Sequence, residues 1–355
     1  MSDLAKRFIQ NPLLKPADLE PSNSQLVIVS LLNPGVFVFK NKIWLLVRVA
    51  ENVKPKEGYI SIPKLNANKE IEIKEVSIND PELIIEDVRV VNYQGEDYLT
   101  TVSHLRLLCS DNGIDFTEDE NYPALFGNGE LENFGIEDCR VTQIKETYYL
   151  TYTAVSNCGV GVGLRTTKDW RNFEELGMIF PPHNKDCAIF EGKIEGKYYA
   201  LHRPSSAVIG GSYIWLAESD DGLQWGNHKC LIKTRNNLWD SARVGAGASP
   251  IKTKAGWLAI YHGADEHHKY GLGAFLLDLE NPSLVLGRTI DSIMQPLEKY
   301  EKYGFFGEVV FTNGHIVNGD KLTIYYGAAD EVICAADFSI SEILNKINKI
   351  HSYLA

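Results

Sequence analysis

The sequence predicts an all-β protein: a five-bladed β-propeller with an N-terminal arm and a short C-terminal helix. Three observations lead there. A strand–turn–strand unit recurs with a period of about 50 residues, which among repeat architectures marks propeller blades rather than helical solenoids. A polar turn closed by an aromatic residue recurs between these units. Helical periodicity is missing until the C-terminal end.

In chain order, residues 1–24 are polar and aperiodic and read as an arm lying on the body. The hairpin unit then appears in 36–49 (turn at Asn41-Lys42), 88–103 (turn at Gln94-Gly95) and 141–156. It returns in 188–203 (turn at Glu195-Gly196), 249–263 (turn at Ala255-Gly256) and 309–327 (turn at Asn318-Gly319). In each, an apolar strand meets a turn-forming pair and a second strand rich in aromatic and β-branched residues. The intervening turns are Ser110 to Phe116, Thr167 to Phe173 and Ser219 to Trp225. Six units become five blades if the first and last close one blade together, which removes exposed edges; otherwise the ring has six. At the end, Ser339 and Glu342 form a capping box, and Ile340, Ile343, Leu344 and Ile347 one apolar stripe, so a helix is expected over 339–351.

The 355 residues, 44% hydrophobic and 23% charged, suit a soluble globular protein with a substantial core; length alone would allow one domain or two, and the repeat makes a single propeller domain over 1–355 the expectation. The net charge of −12, with no basic block, argues against a nucleic-acid partner. No leader-like segment or membrane-length apolar run is visible, so a cytoplasmic protein without a membrane partner is expected. Six cysteines without C-x-x-C spacing suggest buried reduced thiols, not a zinc site or a disulfide framework. The run Asp265-Glu266-His267-His268 lacks the spacing of a metal-ligand pair, so no metal or other cofactor is expected.

Chemistry is expected around Gly135-Ile-Glu-Asp-Cys-Arg140, which puts two carboxylates and a guanidinium at the start of a strand. Strand alternation sends Glu137 and Asp138 to opposite faces and puts Asp138 and Arg140 on one face. There they either serve a cleft or tie the strand start as a salt bridge. Glu86-Asp87-Val88-Arg89 carries the same pattern upstream. In a propeller the inner strands converge at one end of the channel, so matching repeat positions gather in one cavity. By that logic Asn33, Arg48, Asp87, Asp138, Lys185, His202, Arg203, Arg243, His262 and Asp330 face a common pocket.

Taken together, Glu137-Asp-Cys-Arg140, Asn184-Lys-Asp186, Leu201-His-Arg-Pro204, Tyr261-His-Gly263, Leu276-Leu-Asp278 and Tyr325-Tyr-Gly-Ala-Ala-Asp330 resemble glycoside hydrolase family 130. These are five-bladed propeller enzymes acting on β-mannosides, some by hydrolysis and some by phosphorolysis, both with inversion. The resemblance runs from about Asn33 to the end and implies a manno-oligosaccharide substrate and a general acid at Asp138. The details Glu-Asp-Cys-Arg, with Cys139 where phosphorylases usually carry proline, and Trp239-Asp-Ser-Ala-Arg243 look closer to the β-1,2-mannosidase branch.

That resemblance implies an inverting hydrolase, in which Glu218, ending the strand Ile-Trp-Leu-Ala-Glu, acts as the base. The two carboxyl groups would then stand about 6.5–9.5 Å apart, with the Asp138 carboxyl raised and Arg48 or Arg243 beside Glu218. Arg48, Arg140, Lys185 and Arg203 would fix hydroxyls or neutralise the acidic pair, and Asp87 and Asp330 would bind vicinal hydroxyls. His202 and His262 either touch substrate or are structural. Hydrolase relatives often carry a second carboxylate before Tyr-His-Gly; here Trp257-Leu-Ala-Ile leaves that place to Glu266 or to no group. The alternatives are an inverting β-mannoside phosphorylase giving mannose 1-phosphate, which needs convergent cations for the dianion, and a non-catalytic sugar-binding propeller. The arm and the terminal helix could each serve a homo-oligomer contact.

Overall fold

The computed structural model describes residues 3–66, 68–85, 89–205 and 209–349. Its strands form five consecutive antiparallel meanders. The first comprises Leu26–Phe39, Lys42–Val53, Thr101–Ser110 and Thr117–Glu118. The second comprises Gly135–Ile144, Thr147–Ser156, Gly159–Thr167 and Glu174–Phe180, and joins the first through one parallel pairing, Gly135 with Ser103. The third runs Asn184–Ile189, Tyr198–Pro204, Ile214–Ser219 and Gly226–Ile232. The fourth has a divided first strand, Arg243–Ala246 and Ile251–Thr253, then Gly256–Ala264, Tyr270–Leu277 and Val285–Thr289. The fifth is Val310–Asn318, Lys321–Ala328 and Val332–Ser339.

Both ends of the chain complete sheets. Lys6–Arg7 of the arm pairs with the last strand of the fifth meander, Lys6 opposite Asp337. Ile347–Lys349 pairs with Val285–Thr289 of the fourth. The terminal helix is therefore shorter than the periodicity suggests, Ile340–Lys346, with the Ser339 hydroxyl accepting from the Glu342 amide at 3.1 Å. Its apolar stripe ends where Ile347 enters a sheet.

Apolar side chains lie between meanders, not within one. One core packs Phe37, Trp44 and Leu107 of the first against Ile136, Leu150 and Trp170 of the second. Further cores join second to third, third to fourth, and fourth to fifth. The last joins fifth back to first, through Tyr325 and Ile333 against Leu31, Leu45 and Val47. Strands sandwiched this way are buried on both faces, so Gly256–Ala264, wholly buried, reads as an unbroken apolar run rather than an alternating one.

The count of six hairpins is corrected here. The hairpin Val90–Tyr93 and Glu96–Leu99 sits with Leu83–Ile85 in a separate three-stranded sheet. With the ribbon Tyr59–Leu65 and Ile71–Ser77, it is an insertion between the second and third strands of the first meander and has its own small core of Ile62, Val76 and Val91. Its alternation is that of a hairpin, but its apolar residues fall in that separate core rather than in one between meanders.

Candidate active site

Every meander contributes to one cavity of about 430 Å³. Leu32, Asn33 and Arg48 come from the first, Asp138 from the second, and Lys185, Asp186 and Arg203 from the third. Arg243, His268 and Tyr270 come from the fourth, and Val309, Phe311 and Asp330 from the fifth and its flanking turns. Arg89 of the insertion and Phe306 complete the wall, with the Arg89 guanidinium 5.8 Å from the Phe306 ring centre.

A repeated backbone irregularity aims the polar groups inward. In the first strands of the first three meanders, two residues oppose one on the partner strand, at 33–34, 138–139 and 186–187. Asn33, Asp138 and Asp186 each take a left-handed conformation there, with φ of 39°, 48° and 54°. Asn and Asp tolerate that region better than other non-glycine residues, and such bulges re-aim side chains next to active sites. The bulge cancels the simple alternation: Glu137 and Asp138 both reach Arg48, at 2.6 and 3.3 Å. Asp138 and Arg140 form no ion pair; Arg140 instead donates to the Asp138 backbone carbonyl at 2.9 Å. Gly327 is needed opposite, because a Cβ there would stand 2.3 Å from Asn33 Oδ1.

Asp138 Oδ1 accepts from Asn33 Nδ2 at 3.1 Å and from Arg48 Nη1 at 3.3 Å. Burial acts to raise its carboxyl, but Arg48, Arg140, Lys185 and the Asn33 amide together hold it below the usual carboxylate range. This corrects the expectation of a raised Asp138 carboxyl. In the cavity lining the raised carboxyl is that of Asp330, pushed up to about 6 by burial and by the charge of Asp138, against the opposing pull of Arg48.

The remaining cations face a different task. Among the described residues, Lys185 and Arg243 have no carboxylate within ion-pair distance. Arg243 instead donates to Tyr270 Oη at 3.1 Å and lies 3.3 Å from His268 Nδ1. Arg203, buried, has its Nε ion-paired to Asp186 at 3.0 Å, and neither Nε nor Nη1 makes a hydrogen bond of good geometry. The cavity lining thus carries five cationic side chains against three carboxylates, a surplus suited to an anion.

Several expected residues lie elsewhere. Glu218 does not open into the Asp138 cavity; it is ion-paired to Lys197 and accepts from Asn227. In an antiparallel meander the pocket receives the starts of first and third strands and the ends of second strands. Glu218 ends a third strand, paired with Tyr199 while the pocket end pairs His202 with Trp215, so it faces the far end of the sheet. His202 points away from Arg203, stacked on Phe180 with ring centres 4.4 Å apart and bonded to Asn184 and His228. Arg140 and His262 are buried beneath the cavity rather than in its wall, and Glu266 is an exposed loop residue. Asp87 lies outside the described residues. Asp186, His268, Tyr270 and Phe311 were missed. Asp186 adjoins Lys185 in Asn184-Lys-Asp186, and His268 ends the run Asp265-Glu266-His267-His268, whose spacing speaks only to metal binding. Among the described residues no group of three or more His, Cys, Asp or Glu is placed to hold a metal, and no helix is long and apolar enough to cross a membrane.

The β scaffold draws strand ends from five meanders to one polar cavity in which Asp138 shares the lining with the unpaired Lys185 and Arg243, an arrangement suited to a polar, anion-bearing ligand. Residues 89–349 match the profile of a family described as beta-1,4-mannooligosaccharide phosphorylase. The chain belongs to that family, glycoside hydrolase family 130. It is 45% identical over 347 residues to a beta-1,2-mannobiose phosphorylase of Listeria innocua, covering 96% of this chain and 98% of the relative. It is 40% identical over 245 residues to a 1,2-beta-oligomannan phosphorylase of a Thermoanaerobacter species, covering 68% of this chain and 80% of the relative. The solved Listeria innocua enzyme, in complex with beta-1,2-mannobiose, superposes with a TM-score of 0.92 at 44% identity, covering 97% of this chain and 99% of that one. A structure titled for family 130 hydrolases targeting beta-1,2 mannosidic linkages shares the fold at 19% identity, with a TM-score of 0.73 and coverage of 95% and 94%.

These relatives overturn the hydrolase reading, and with it the assignment as a glycosidase or β-mannosidase. The displaced Glu218 accords with that correction.

Proposed function

We propose that the protein is an inverting phosphorylase that cleaves β-1,2-linked mannobiose or short oligomannans with inorganic phosphate, yielding α-mannose 1-phosphate. The observation that carries this reading is the pair of unpaired cations, Lys185 and Arg243, in one cavity with Asp138. No carboxylate is free there to act as a hydrolytic base: Asp186 is bound to Arg140 and Arg203, and Asp330 clusters with Asp138 around Arg48. The 45% identity to a beta-1,2-mannobiose phosphorylase supports the linkage.

The phosphate sits on Lys185, Arg203 and Arg243. One of its oxygens forms the bond to the anomeric carbon as the glycosidic C–O bond breaks on the opposite face. Asp138 supplies the proton to the departing oxygen, directly or through a substrate hydroxyl. Asn33, Arg48 and Asp330 hold hydroxyls of the mannosyl unit, and Phe306 and Phe311 give its C–H faces an apolar wall. The dianion offsets the cations that keep the Asp138 carboxyl low, so arrival of the nucleophile favours the protonated acid. The five meanders, with cores running in a closed cycle, support reading them as blades of a five-bladed propeller. Six free cysteines suit a reducing cytoplasmic setting.

The test is β-1,2-mannobiose consumption with and without phosphate. The reading requires that turnover stop when phosphate is withdrawn; equal turnover without it would end the proposal.

A further inference from the structure

Beneath the cavity, three meanders are tied together by one carboxylate. Asp186 Oδ1 accepts from Arg140 Nη2 of the second meander at 3.0 Å. Asp186 Oδ2 lies 3.0 Å from Arg203 Nε on its own meander and 3.3 Å from His262 Nε2 of the fourth. All four residues are buried. Arg140 reaches further, to the backbone carbonyls of Asp138 at 2.9 Å and Ala246 at 3.0 Å. Gly245 makes room for this cluster: a Cβ there would stand 2.3 Å from both Asp186 Oδ2 and His262 Nε2. Burial pushes His262 down to about 4, so near pH 7 it is neutral and brings the cluster no charge.

Resting on the phosphorylase reading, we infer that Asp186 is a positioning residue for phosphate: by holding Arg203 through Nε it leaves the other guanidinium nitrogens turned to the nucleophile. Arg203 lines the cavity and keeps 10% of its side chain exposed while its Nε is ion-paired to Asp186, so it is the uncommitted edge of the guanidinium that is so presented. Two alternatives predict different signs. If Asp186 acted only through its charge, neutralising it would make the pocket more positive and tighten phosphate. If it were only structural, its loss would lower stability and weaken both substrates together.

The experiment compares the full-length chain with Asp186→Asn and Gly245→Ala, measuring KM for inorganic phosphate and for β-1,2-mannobiose after confirming folding by circular dichroism. Gly245→Ala displaces the carboxylate without changing any charge. In both variants the phosphate KM should rise roughly ten- to a hundredfold, the effect of losing a charge-assisted hydrogen bond, with mannobiose KM little changed. A folded Asp186→Asn chain whose phosphate KM is unchanged or lower, or whose two KM values rise together, overturns the inference. If that variant does not fold, the same outcomes in Gly245→Ala decide. Phosphate-independent turnover by the wild-type chain would instead remove the phosphorylase reading on which the inference rests.

Discussion

Replacing Asp138 with asparagine removes the transferable proton and almost nothing else. The carboxamide oxygen can still accept from Asn33 Nδ2 and Arg48 Nη1, the partners now at 3.1 and 3.3 Å. The bulge that aims the side chain also survives, because asparagine tolerates a φ of 48° as aspartate does. Sugar binding should therefore persist, and the loss should fall on kcat by about a hundred- to ten-thousandfold, the usual worth of a positioned general acid. The assay is phosphorolysis of β-1,2-mannobiose beside calorimetric binding of the same sugar. A β-mannosyl fluoride, whose leaving group needs no strong acid, should recover much of the lost rate. A variant that keeps kcat within about tenfold would refute Asp138 as the acid and favour a pocket that only binds sugar.

Glu218→Gln should leave phosphorolysis of β-1,2-mannobiose within about twofold, since the side chain serves an ion pair with Lys197 outside the cavity and exposed pairs contribute little; a large drop in kcat would restore it to the site. Asp330, raised from 3.8 to about 6, binds its proton more tightly folded than unfolded, so this stabilisation is full below about 3.8 and lost as pH rises through about 6. Near pH 8 the ionised group then costs at most about 3 kcal/mol relative to acid conditions. Asp330→Asn should accordingly raise Tm at that pH, with the gain shrinking toward about pH 4, while mannobiose phosphorolysis slows. A Tm difference that does not vary with pH would show that Asp330 carries no such shift.

The hairpins of the meanders were legible because buried, turn-bounded runs such as Gly256–Ala264 announce themselves. The hairpin at 90–99 carries the same local pattern, and only its packing sets it apart. Asn33, Arg48, Asp138, Lys185, Arg203, Arg243 and Asp330 come together because matching repeat positions share one end of each sheet. Glu218 was misplaced by the reading of the resemblance as a hydrolase; the alternating direction of the meander puts the end of its third strand at the far end of the sheet. The bulges at 138 and 186 were invisible to strand periodicity, so Arg140 was put in the cavity and Asp186 left out. The choice of nucleophile depended on which cations remain unpaired, and pairing is decided by contacts between distant meanders.

The most direct measurement is NMR of the reaction of β-1,2-mannobiose with phosphate, recorded before products equilibrate. The account predicts α-mannose 1-phosphate and free mannose appearing in equal amounts as phosphate is consumed. Two equivalents of mannose with phosphate untouched, or the β-anomer of the sugar phosphate, would contradict it.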